Sequence, residues 1–281
     1  MIGLMVTVQS SYFGQELAAK RKAAGISILQ MANRLQVDKS TVNRWESGAR
    51  KPDDTHLAMY LTECGATPEQ IEVFKVRNSS TFDPVWGTLG ATTDRASVIG
   101  ALLRAEQRAS RITIMASGGV PALAQTSEYA SFVMRRDGVP EDEISSRVAE
   151  RMGRASMARE RTDLEFDILL DEAVLLRPVG SVAATLAQIR HLYDSPHVNI
   201  QIVPLHIGWS DAQYGPFSIY EFSEDSAVAF LELRKVMVFF NDPADVDGVY
   251  RASIDRVRPL AMSPEESRGF MLEKIRELEK L

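Results

Sequence analysis

The chain has 281 residues, of which 45% are hydrophobic and 25% charged, and a formal net charge of −6. That length exceeds one ordinary domain, and no apolar run approaches the roughly 20 residues needed to span a bilayer. Its single cysteine, Cys64, excludes an internal disulfide framework and fits a reducing cytoplasm.

The first residues, MIGLMVTVQSSYFG, start apolar but lack a basic n-region, so a short leader or strand is expected rather than a signal peptide. Gly14 to Ala24 reads as an amphipathic helix with Leu17 and Ala24 inward and Lys20, Arg21 and Lys22 on the wet side. Gly25 is placed to end it in a left-handed cap. Ser27 and Gln30 form a capping box for a second helix, on which Ile28, Met31, Ala32 and Leu35 share one buried face. A turn at Gln36-Val37 follows. Asp38 can cap a third helix with Val42 and Trp45 inward, and Gly48 ends it. A fourth helix runs from Asp54 to Cys64 and closes at Gly65. Thr67-Pro68-Glu69-Gln70 carries the cap, proline and glutamine signals that start a fifth.

Residues 79–93 are rich in Ser, Thr, Gly and Pro and read as a linker, with Phe82, Val85 and Trp86 expected to dock on a domain. Beyond it, helices are predicted at about 94–110, 126–136, 141–160, 181–194, 243–258 and 264–280. The last opens on Ser263-Pro264-Glu265-Glu266. Strand-like runs lie at Glu165–Leu170, Val198–Val203, Phe217–Phe222, Val228–Leu233 and Val236–Phe240. The connections between the last three are too short for crossover helices, so these should be antiparallel. The expected architecture is therefore multi-domain: an all-α domain over residues 1–78, the linker, and an α+β domain with an antiparallel sheet over 94–281.

Charge is unevenly spread. Residues 1–78 carry 10 basic and 8 acidic side chains, a net of +2, whereas the remainder carries 22 and 30, a net of −8. Residues 14–51 alone carry 8 basic and 3 acidic, a net of +5. Two short helices, a tight turn and this local basic excess make a helix-turn-helix, whose second helix enters the DNA major groove. Phosphate neutralisation dominates such binding, so the local surplus outweighs the acidic whole. With Val42 and Trp45 inward, Lys39, Ser40, Thr41, Asn43 and Arg44 face outward or lie at the helix start. Arg44 has the two-pronged geometry that suits guanine, and Arg50 and Lys51 just after the helix suit phosphates.

Residues 14–77 resemble the repressor-type helix-turn-helix of the XRE (Cro/C1-type) regulators. Residues 95–280 resemble the large C-terminal domain of actinobacterial WhiJ-like, antitoxin-like regulators. The second likeness rests on Pro121-Ala122-Leu123-Ala124-Gln125-Thr126 with Tyr129-Ala130, Asp171-Glu172-Ala173-Val174-Leu175, Pro178-Val179-Gly180, Val198–Pro204, Gly215-Pro216-Phe217 and Ser263-Pro264-Glu265-Glu266-Ser267. The resemblance implies that the groove-facing positions are Lys39, Ser40, Thr41, Asn43 and Arg44. It also implies a cytoplasmic repressor, a homodimer on an inverted-repeat operator in double-stranded DNA, and a small protein partner encoded nearby. Two departures stand out: Ile28 occupies the position where the family usually has a phosphate-clamping Gln, and Gln36 the turn position usually held by Gly.

For the second domain no catalytic residue, metal site or cofactor is expected. His191, His197 and His206, with Asp194 and Asp211, match no ligand spacing. Asp171-Glu172 beside Arg177 reads as a structural carboxylate–arginine pair, and Cys64 as core. Gly118-Gly119 lacks the remaining glycines of a phosphate loop. Tyr129, Phe132, Trp209, Tyr214, Phe217 and Tyr220 are candidates to line an apolar cleft. The alternatives are a ligand-sensing regulator with a small-molecule pocket, a DNA-tethered enzyme, and an interaction module that has lost DNA binding.

Overall fold

The computed structural model describes residues 8–79, 85–89, 95–233 and 236–281. They divide into two compact units, Met1–Ala105 and Glu106–Leu281.

The first unit holds helices α1 (Val8–Ala23), α2 (Ile28–Leu35), α3 (Lys39–Glu46), α4 (Asp54–Glu63) and α5 (Pro68–Ser79), then a short strand β1 (Val85–Leu89). Helix α6 (Arg95–Arg108) begins in this unit. One core gathers Phe13, Leu17, Met31, Leu35, Val42, Trp45, Leu57, Tyr60 and Leu61, with Val37 and Cys64 packed at its margin. The capping boxes form as their sequences predict. Gln30 N–H donates to Ser27 Oγ and Ser27 N–H to Gln30 Oε1; Thr67 and Gln70 repeat the exchange. Glycines 25, 48 and 65 take positive φ where the helices end.

Several details differ from the sequence reading. The N-terminal stretch read as leader or strand is helical from Val8, and the residues before it lie outside those described. Arg21 is not on the wet side but buried, and Ala24 is exposed. Gly14 lies inside α1, where a Cβ would stand 2.5 Å from the Trp45 carbonyl oxygen, so α1 needs glycine to cross the end of α3 this closely. Asp38 occupies the N-cap position of α3, but its side chain makes no capping bond. Of the linker residues, Ser79 ends α5 and 85–89 are described as a strand; Phe82 lies outside the described residues.

The second unit is built on six strands: β2 (Arg111–Ala116), β3 (Glu165–Asp171), β4 (Asn199–Val203), β5 (Phe217–Glu221), β6 (Val228–Leu233) and β7 (Val236–Phe240). Their order is β7-β6-β5-β2-β3-β4. The expected antiparallel pairing joins β5, β6 and β7, and also β5 to β2. The sheet is mixed, however: β2, β3 and β4 run parallel, with Ile114 opposite Ile168 and Ile168 opposite Ile200. Helices α7 (Ser127–Arg136) and α8 (Glu141–Glu160) connect β2 to β3. Short α9 (Glu172–Leu176) and α10 (Val182–Tyr193) connect β3 to β4. These are the long crossovers that parallel neighbours require. Strand β2 is not among the strand-like runs read from the sequence.

After β7 the chain forms α11 (Pro243–Asp245), a π turn (Val246–Arg251) and α12 (Ala252–Val257), then α13 (Pro264–Leu278). Val246, Ile254 and Val257 pack with Met115, Leu169, Ile219 and Ala229 on one face of the sheet. Ser263 and Glu266 form the expected capping box. The same motif closes the sheet. Ile202 N–H donates to Ser267 Oγ at 2.9 Å, and Met262 N–H donates to the Ile202 carbonyl at 2.8 Å, so the outer edge of β4 is occupied.

Candidate nucleic-acid interface

Helix α3 begins at Lys39, where the turn from α2 ends. That turn puts Gln36 in the left-handed region, φ 54° and ψ 40°, the conformation that glycine adopts most readily. Along α3 the pattern i, i+3, i+4 sends Val42, Trp45 and Glu46 inward. Lys39, Ser40, Asn43 and Arg44 are exposed and Thr41 is half-buried. All five predicted reading residues thus belong to one short helix, four of them open to solvent. Arg44 Nη2 donates to Ser40 Oγ at 3.3 Å, one turn back, so the guanidinium lies along this outward face. Ser47 Oγ donates to the Arg44 carbonyl at 3.2 Å and Arg50 N–H to the same oxygen at 3.1 Å, which brings Arg50 to the end of the helix.

What holds this face rigid is a buried polar network that the sequence reading missed. Arg21 of α1 and Glu46 of α3 are only 5% and 9% exposed. Arg21 Nε and Nη2 donate to the two Glu46 oxygens at 2.6 and 2.7 Å, and Nη1 donates to the Ile26 carbonyl at 2.7 Å. Tyr60 of α4 donates to Glu46 Oε1 at 2.8 Å and lies 3.0 Å from the Leu17 carbonyl. Hydrogen bonding to Glu46 raises the Arg21 pKa; burial, with Glu46 beside it, pushes the Tyr60 phenol upward as well. Three helices are therefore tied to one carboxylate at the back of α3. Glu46 shares the Val42–Trp45 stripe, and Arg21 lies four residues after Leu17; these spacings were the available signal.

The flanking cations differ in what they can offer. Arg50 is exposed. Lys51 Nζ instead donates to the Asn78 carbonyl at 3.3 Å, and burial lowers its pKa, so this residue expected at phosphate also braces the end of α5. Asn78 Nδ2 in turn donates to the Pro52 carbonyl at 2.8 Å. Arg34 of α2 is held by Glu63 at 2.8 Å. At the N-cap of α4, Asp53 accepts from His56 N–H, and the His56 ring lies 5.5 Å from the Trp45 ring, tilted by 50°.

In the second unit Asp171 and Glu172 are held by hydrogen bonds to neighbouring segments. Asp171 accepts from Ala173 N–H and from Gln213 Nε2, and Glu172 accepts from Leu205 N–H at 2.8 Å. The expected pairing of these carboxylates with Arg177 is replaced by bonds that pin the β4–β5 loop. Asp211 is paired with Arg256. Among the described residues no group of three or more His, Cys, Asp and Glu side chains could hold a metal ion. The six aromatic residues do not line one cleft: Tyr129, Phe217 and Tyr220 are buried, Phe132 packs on Gly180, and Trp209 and Tyr214 stand in solvent. A separate cavity of about 560 Å³ lies at the starts of β3 and β4, where it brings His197 together with Asp167, Asn199 and Arg268. Burial pushes the pKa values of His191 and His197 down, and the charge of Arg159 adds to the effect. Cys64 is half-buried and its thiol is pushed up to about 11 by burial.

Among the described residues no helix is long and apolar enough to cross a membrane. No curated protein and no solved structure matches the chain. Residues 17–71 match a family model described as helix-turn-helix, which supports a DNA-binding, transcription-regulating role. Residues 99–273 match a model described as a domain of unknown function, DUF5753. With that domain covering more than half of its length, the chain belongs to the DUF5753 family.

Proposed function

We propose that the protein is a cytoplasmic, sequence-specific transcriptional repressor that binds an inverted-repeat operator as a homodimer, reading bases with α3 and responding to a small protein through its second unit. The observation that carries this reading is the outward face of α3. Lys39, Ser40, Asn43 and Arg44 are exposed there, while the opposite face is fixed by Val42, Trp45 and the Arg21–Glu46 pair. Arg44 and Lys39 are the base readers, Ser40, Thr41 and Asn43 adjust fit, and Arg50 takes a phosphate with Lys51 beside it. The wider likeness to WhiJ-like, antitoxin-like regulators supports the partner, and the structural bonds of Asp171 and Glu172 support a receiving rather than a catalytic second unit.

Selection of bound fragments from a random DNA pool, with and without the product of a neighbouring small gene, tests the proposal. An enriched inverted repeat with half-sites about one helical turn, ~34 Å, apart is expected. Enrichment of no repeat under either condition overturns it. The cavity beside His197 favours the second reading, a regulator that senses a small molecule. A metabolite that raises the unfolding midpoint of the full chain and releases DNA would establish that reading instead.

A further inference from the structure

We propose that the cavity between the starts of β3 and β4 and helix α13 binds a small monocarboxylic acid, with its apolar body on the cavity floor and its carboxylate on Arg268 and His197. The inference rests on the small-molecule reading above and names the class of molecule sensed.

The cavity holds about 560 Å³, within the range of sites that take a small organic ligand. Its floor and rim differ in chemistry. Phe166, Leu192, Ile200 and Met271 line it and are buried, so they offer a dry apolar surface. His197 is half-buried, and Asn199 and Arg268 are exposed, which puts them where the cavity meets solvent. A ligand that matches this gradient has an apolar body and one polar end.

Charge at the rim selects the polar end. The Arg268 guanidinium lies 4.3 Å over the centre of the Tyr193 ring, and its Nη1 donates to the Tyr193 carbonyl at 2.8 Å. Stacking and this bond hold the group in place, while its Nε and Nη2 donate to no described residue. That edge is the fork that binds a planar carboxylate through two parallel hydrogen bonds, and a held arginine loses little freedom in doing so. A second cation acts on the same region. Arg159 of α8 depresses the pKa of His191 and of His197, and it makes no ion pair with a described residue.

The acids nearby are already matched. Glu165 is paired with Arg111, and Asp167 accepts from Asn199 at 2.7 Å and from Arg258 at 3.4 Å. Asp194 opposes Arg159 at His191. A cationic ligand therefore finds both cavity carboxylates occupied. A single negative charge is balanced by Arg268 and Arg159, whereas the second charge of a phosphate would be set against Glu165 and Asp167. An acid with one carboxylate and an apolar body fits both the floor and the rim.

Titration of the full chain with phenylacetate, octanoate, phenylacetamide and inorganic phosphate tests the class. The chain has four histidines, so the His197 ring signal is assigned by its loss in His197→Gln and followed by NMR. At least one of the two acids should bind and move the His197 titration upward, because an anion at the rim offsets Arg159. The uncharged amide and phosphate should bind about tenfold more weakly or worse. Arg268→Gln should fold normally, its side chain being exposed, and lose about tenfold or more in affinity for the acid; Arg268→Lys, which keeps the charge, should retain part of it. Failure of both acids to move His197, equal binding of the amide, or an Arg268→Gln variant that binds as wild type does would overturn the inference. Retention on DNA, measured on the same samples, separates this from the sensing reading. An acid that binds without changing retention would remove the sensing reading and leave the carboxylate site. Release of DNA by an uncharged metabolite, with neither acid bound, would remove the carboxylate site and leave the sensing reading.

Discussion

Arg44 carries the most information per side chain. It is exposed, aligned along α3 by Ser40, and its carbonyl accepts from Arg50 N–H, so the proposed base reader and the proposed phosphate contact are adjacent. Arg44→Ala should weaken binding to the selected operator by roughly 1–3 kcal/mol and flatten preference at one base position, as titration against a panel of single-base variants would show. Equal binding across the panel for both proteins would remove Arg44 as a reader. Gln36 is the other residue with an individual consequence. A side chain at φ 54° is strained relative to glycine, so Gln36→Gly should stabilise the first unit by about 1 kcal/mol, visible as a later denaturation midpoint at unchanged slope. An earlier midpoint would show that the glutamine side chain compensates for its backbone.

Among the helices, the decisive relation is between α1 and α3. Their crossing is set by Gly14 against the Trp45 carbonyl and sealed by Arg21 on Glu46. Removing one member of a buried pair leaves the other charged and unpaired, which costs about 3–5 kcal/mol. Glu46→Ala should therefore unfold the first unit near ambient temperature and abolish DNA binding although Glu46 faces away from DNA. Circular dichroism of the variant, together with an Arg21→Met/Glu46→Leu double exchange, separates the causes. The double exchange should recover most of the helix signal because two apolar side chains need no partner. Gly14→Ala should also destabilise, by about 1–3 kcal/mol, since the clashing atoms are backbone and yield only if a helix shifts. A stability equal to wild type would mean that α1 moves more easily than its packing implies.

At the scale of the whole molecule the acidic second unit has its own pH sensitivity. His191 and His197 titrate below the ordinary histidine value because of burial and the charge of Arg159, with Asp194 opposing at His191. The folded state therefore holds their protons less tightly than the unfolded chain. Their contribution to stability is intact above about pH 6.5 and is lost as pH falls through the interval between the unfolded and folded values. The unfolding midpoint of the full chain should fall between pH 7.5 and pH 5.5, and a His191→Gln/His197→Gln variant should show a shallower fall. Parallel pH profiles for the two proteins would assign the effect to other groups.

Much of the local structure was legible in the sequence because local rules govern it. Capping boxes at Ser27, Thr67 and Ser263, the glycines at helix ends and the apolar stripes of α2 and α3 fixed helix positions, and short connections made β5, β6 and β7 antiparallel. The outward set from Lys39 to Arg44 followed from burying Val42 and Trp45. What depends on distant partners was not legible. Arg21 looks like one of three solvated cations until α3 brings Glu46 against it, 25 residues away. The direction of β2 relative to β3 was undecided until α7 and α8 returned the chain to the sheet. Asp171 and Glu172 read as partners of the nearby Arg177, and only the folded β4–β5 loop gave them Gln213 and Leu205 to hold instead. Periodicity and capping act within a few residues and are written in the sequence by itself. The pairing of buried charges, the order of strands and the exposure of Trp209 and Tyr214 arise from contacts between remote segments, so only the tertiary structure decided them.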